Sequence, residues 1–77
     1  MDAEWREANP LRKWREESGV SSGNAAVRLD VNTGTAMAWE SGKRYPVAGN
    51  MAKLARLLGD DVEARWAEWW ELRPRPS

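Results

Sequence analysis

The chain is predicted to be all-α, and three features of the sequence carry that prediction. No segment sustains the period-2 alternation of a half-buried strand, and no pair of the Asn-Gly type offers a hairpin turn. Apolar residues recur instead at helical spacing. Four breaks with helix-starting or helix-stopping chemistry divide the chain into five helical stretches.

The first helix opens at Asn9-Pro10, a capping residue followed by proline at the first helical position, where its missing N–H costs nothing. Leu11, Trp14 and Arg15 then fall at i, i+3 and i+4, and Gly19 stands where a left-handed stop belongs. Ser21-Ser22 opens a second helix with Ala25, Ala26 and Leu29 as its apolar stripe. Asp30, Val31 and the cap Asn32 lead into a third helix over about Thr33–Ser41, with Ala36 and Trp39 inward. Gly42-Lys43-Arg44-Tyr45-Pro46 is a loop. A fourth helix, Ala48–Leu58, presents Met51, Leu54, Ala55 and Leu58, and Gly59 stops it. Asp60-Asp61 suits the positive end of a fifth helix dipole, and that helix runs to about Leu72. Residues 1–8 form an N-terminal arm or a short extra helix with Trp5 as its anchor; 9–59 are the core, 60–73 a Trp-rich C-terminal helix and 74–77 a tail.

Composition narrows the function. Seventy-seven residues make one small domain, which must pack densely or share its core with a partner. Cys and His are both absent, which removes disulfides, thiolate chemistry, the commonest general base and the commonest metal ligand. The adjacent acids Glu16-Glu17 and Asp60-Asp61 point ~100° apart on a helix, so they mark solvated faces or a helix start rather than a catalytic dyad. No enzyme, metal site or cofactor is expected. No apolar run reaches the ~20 residues of a membrane span, and the acidic start Met1-Asp2-Ala3-Glu4 is unlike a signal peptide. A cytoplasmic protein without membrane contact is the expectation. Phe and Ile are missing while Trp occurs six times, so the core is expected to be Trp-built.

Formal net charge is zero, from 12 Lys+Arg and 12 Asp+Glu, but the charges are unevenly spread. Between Leu11 and Leu58 stand eight basic and four acidic residues, a net of +4, which leaves −4 on the two ends. A basic core between acidic flanks fits nucleic-acid binding.

The stretch from Ser22 to Ser41 meets the steric demands of a helix-turn-helix. A small residue, Ala26, stands where the two helices cross, and Asp30 tolerates the left-handed turn. Ala25, Leu29, Val31, Ala36 and Trp39 supply the apolar interior, leaving Asn32, Thr33, Gly34, Met37, Ala38 and Ser41 outward. Here the sequence resembles the lambda repressor/Cro-like helix-turn-helix family. The resemblance runs through Val20-Ser21-Ser22, Ala25-Ala26, Leu29-Asp30-Val31, Trp39-Glu40-Ser41-Gly42-Lys43-Arg44 and Pro46, back to Leu11, Arg15 and Gly19, and forward to Met51, Leu54-Ala55, Leu58 and Gly59.

That resemblance implies a five-helix DNA-binding domain, usually dimeric, whose third helix enters the major groove. Carried over by position, Asn32, Thr33, Gly34, Met37 and Ala38 face the bases. Ser22, Thr35, Ser41, Lys43 and Arg44 contact phosphates, and Arg15 with Glu40 forms a structural salt bridge. The base-facing set holds no Arg, Lys or Gln, so specificity would rest on shape and on apolar contact with thymine methyls.

In the fifth helix, 100° per residue gathers Val62, Trp66 and Trp69 on one stripe with Trp70 and Leu72 at its borders. Trp66, Trp69, Trp70 and Leu72 are therefore the expected homodimer interface. The leading reading is a dimeric, sequence-specific transcriptional regulator on a two-fold operator in double-stranded DNA. It would be a repressor or autoregulator of the phage, plasmid or restriction–modification controller type, working at the bacterial or phage nucleoid. The alternative is an antitoxin or antirepressor acting through protein–protein contacts.

Overall fold

A computed structural model describes residues 2–74 and contains six helices and no strand among them. In chain order they are α1 (Asp2–Glu7), α2 (Pro10–Ser18), α3 (Ser22–Leu29), α4 (Thr33–Ser41), α5 (Ala48–Leu58) and α6 (Val62–Glu71). The five stretches expected from sequence are α2 to α6, and the added one is α1, the extra-helix alternative for residues 1–8. Of the expected tail 74–77, all but Pro74 lies outside the described residues. No described helix is long and apolar enough to cross a membrane.

Capping chemistry sets most of the boundaries. The Asn9 side chain accepts from the backbone N–H groups of Leu11 and Arg12 at 2.9 and 3.1 Å, closing the start of α2. Its amide also donates to the Trp39 carbonyl at 3.2 Å, so the buried Asn9 ties α2 to α4. Ser21 Oγ accepts from Asn24 N–H, and Asn32 Oδ1 from Thr35 N–H at 2.7 Å. Asp30 takes the left-handed turn at φ 56° and ψ 47°. Asp61 stands at the start of α6, where the dipole expectation puts an anion. It makes no side-chain cap bond to α6, and its carboxylate stands 3.4 Å from Arg65 one turn on.

The core gathers Leu11, Leu29, Trp39, Met51, Leu54, Val62, Trp66 and Trp69, with Ala26 and Ala36 where α3 and α4 approach closely. Trp39 and Trp66 are its largest fully buried side chains. A buried Trp removes ~150–250 Å² from water, about 4–6 kcal/mol of apolar transfer at ~25 cal/mol per Å². Two such rings supply the volume that the missing Phe and Ile would otherwise fill.

α1 is too short to hold itself as a helix. It is fastened by Trp5, whose ring stacks on Trp69 with centroids 4.1 Å apart and planes within 4°. Each indole N–H donates to the other residue's carbonyl, at 2.7 Å from Trp5 and 2.6 Å from Trp69.

Candidate nucleic-acid interface

The position of α4 follows from its two faces. Ala36 and Trp39 are buried, and Glu40 is 8% exposed. Glu40 is held by a forked pairing with Arg15 of α2, in which Arg15 Nε donates at 3.0 Å and Nη2 at 2.9 Å. Arg15 Nη1 also donates to the Val20 carbonyl at 3.3 Å, so one guanidinium joins α2, α4 and the turn before α3. The hydrogen bonds to Glu40 raise the Arg15 pKa above its ordinary value. The structure thus brings together the two residues that the resemblance pairs.

The outward face of α4 is open. Thr33 and Gly34 are exposed, Met37 is 55% exposed and Ala38 is half-buried. Asn32 is exposed too, with its Oδ1 engaged as the helix cap. A Cβ built on Gly34 would meet only that Oδ1, at 3.4 Å, which is ordinary contact. Nothing inside the molecule requires glycine there, although it weakens the helix by ~1 kcal/mol relative to alanine.

Depressions run along both flanks of this face. On one flank Thr35 and Ala38 meet Lys43 and Arg44 around an open hollow that also takes in Asn32 and Gly34. The loop is set by the Ala38 carbonyl, which accepts from the backbone N–H groups of Lys43 at 3.0 Å and Arg44 at 3.3 Å. Lys43 and Arg44 are exposed, and neither is in an ion pair among the described residues. On the other flank Met37, Ser22 and Ser41 share a hollow with Arg6, Arg12, Arg15 and Glu40. The five residues expected at phosphates therefore divide between the two sides, Thr35, Lys43 and Arg44 on one and Ser22 and Ser41 on the other.

Arg6 and Arg12 were absent from the expected site. Arg12 had a legible signal, since it lies one turn before Arg15 on the same helix. Arg6 had none, because its place depends on Trp5 meeting a ring 64 positions away.

The expected dimer residues need correction. Trp66 is fully buried within the protomer, and Trp69 is 5% exposed beneath Trp5. Trp66 has no surface to offer a second copy, and Trp69 only an edge in the hollow it lines with Ala8, Arg65, Glu68 and Leu72. Trp70 is half-buried, edge-on to Tyr45 at 5.3 Å, and Leu72 is 71% exposed. The chain matches no protein-family model, and no curated protein or solved structure matches it.

Proposed function

We propose that this protein is a sequence-specific DNA-binding transcriptional regulator that lays α4 in the major groove and acts as a homodimer, as a repressor or autoregulator. One observation carries the reading: the outward face of α4 is open to solvent between two hollows supplied with cations, while its inward face is locked by Trp39 and the Arg15–Glu40 pair. A helix wedged in this way projects as a rigid edge. Lys43 and Arg44 grip the backbone irrespective of sequence, and Thr33, Met37 and Ala38 meet the base edges. Gly34 lets the helix backbone approach the groove closely. With about four phosphates neutralised per protomer, log affinity falls against log salt with a slope of roughly −3.6 per protomer.

The absence of Arg, Lys and Gln from the base-facing set favours a second reading, an antitoxin or antirepressor that uses the fold for protein contacts. Selection from a randomised duplex pool separates the two. A regulator enriches a two-fold motif with half-sites about 10 bp apart. Thr33→Ala or Met37→Ala then changes the enriched sequence, whereas Lys43→Ala weakens binding to all sequences alike. A pool that emerges without any enrichment removes the regulator reading.

A further inference from the structure

We infer that α1 and the start of α2 form a second backbone clamp, in which Arg6 and Arg12 each take a DNA phosphate on the flank of α4 opposite Lys43 and Arg44. This rests on the DNA-binding reading above and extends it to helices outside the helix-turn-helix.

Helical geometry puts the two hollows on opposite borders of the open face. At ~100° per residue, Met37 and Thr35 lie about 160° apart around α4, with Gly34 and Ser41 between them. Thr35 borders the hollow of Lys43 and Arg44, and Met37 borders that of Arg6 and Arg12. A strand of backbone bounds each side of a groove, so a reading helix gripped on both sides is held against rolling.

The second hollow is electrically suited to an anion. Its carboxylate, Glu40, is already matched by Arg15 at 2.9 Å. Arg6 is exposed and in no ion pair among the described residues. Arg12 has only Glu16, 3.8 Å away, beyond hydrogen-bond reach and half open to water, where such a pair contributes little. The Arg12 Nε–H has no acceptor at all and is buried, a donor that turning the guanidinium onto a phosphate oxygen would satisfy. Ser22 and Ser41 add hydroxyls to the same hollow.

Trp5 explains how Arg6 reaches that place. α1 contributes a single half-buried ring to the interior, yet that ring makes a parallel stack and donates one hydrogen bond, while the Trp5 carbonyl accepts another from the Trp69 indole. Arg6 is the next residue, so the latch that docks α1 also fixes the cation.

The test is fluorescence anisotropy of a labelled, mixed-sequence duplex of about 20 bp, two half-sites long, over a salt series. Arg6→Ala/Arg12→Ala is expected to weaken binding about tenfold at low salt and to make the salt slope shallower by about 1.8, the loss of two phosphate contacts. Arg6→Lys/Arg12→Lys restores the slope, which a merely structural role would not do. Arg56→Ala, at a separate hollow between α3 and α5, leaves both readings unchanged. Trp5→Ala, checked for helix content, loses as much affinity as Arg6→Ala alone. If Lys43→Ala/Arg44→Ala weakens binding while Arg6→Ala/Arg12→Ala does not, the clamp is wrong and the DNA reading stands. If the unaltered protein binds no duplex at any salt, both fall.

Discussion

Glu40 is the sole charged side chain buried among the described residues, and it sits on the helix proposed to read DNA. A buried carboxylate is costly to desolvate, so it is tolerable here only because Arg15 meets both its oxygens. Arg15→Met strands that charge and is expected to destabilise the fold by about 3–5 kcal/mol in urea unfolding. Arg15→Met/Glu40→Leu removes both charges and recovers most of the loss, because no unpaired ion is left behind. A single variant that loses under about 1 kcal/mol would show that water reaches the carboxylate. The sign of the pKa shift adds a constraint. A base whose folded pKa is raised is stabilising below its unfolded value and loses that stabilisation only as pH rises through the folded one. For Arg15 this window lies in strong alkali, so the arginine contributes no pH dependence near neutrality.

At the scale of elements, α2 to α5 were legible because a start or stop of each is written locally, and α6 because Val62, Trp66 and Trp69 recur at helical spacing. Asn9-Pro10, Ser21, Asn32, Gly19, Gly42 and Gly59 all stand within a residue or two of the ends they make. α1 was not, since no local residue decides whether it docks; Trp69 does. Gly42 shows the difference between local and distant constraint. Gly19 and Gly42 both end helices at positive φ, 67° and 79°. A Cβ on Gly19 meets open space, whereas one on Gly42 would come within 2.6 Å of Trp5 Cζ3. Gly19→Ala is thus expected to cost only the left-handed penalty, ~1–2 kcal/mol. Gly42→Ala adds about 1–3 kcal/mol of overpacking and pushes Trp5 off Trp69. In a Trp5→Ala background the two glycine substitutions should cost the same. A cycle showing no coupling between positions 5 and 42 would mean that α1 does not pack against the end of α4.

For the molecule as a whole, the proposed homodimer needs a contact surface, and burial has divided the residues on which that depends. With Trp66 and Trp69 taken into the core, the accessible members of the Trp-rich stripe are Trp70 and Leu72. They lie about 160° apart around α6, so they belong to different surfaces. Leu72 borders a hollow with Ala8, Arg65 and Glu68. Trp70 meets Tyr45, which is followed by buried Pro46 and by Val47 at 66% exposure. A standard interface takes ~800 Å² per partner, about a sixth of the 5146 Å² accessible here, so an isolated leucine is not enough. The Tyr45–Val47–Trp70 side brings aromatic surface and continues the loop of Lys43 and Arg44. A two-fold contact through it would therefore fix the spacing between reading helices along the duplex. Sedimentation at tens of micromolar should find a dimer that Val47→Glu converts to monomer and Leu72→Glu leaves intact. The reverse pattern would move the contact to the Leu72 border, and a monomeric parent chain would remove self-association altogether. Because Val47 is exposed and lies outside the core, Val47→Glu should keep the helix content of the folded chain while losing preference for paired over single half-sites.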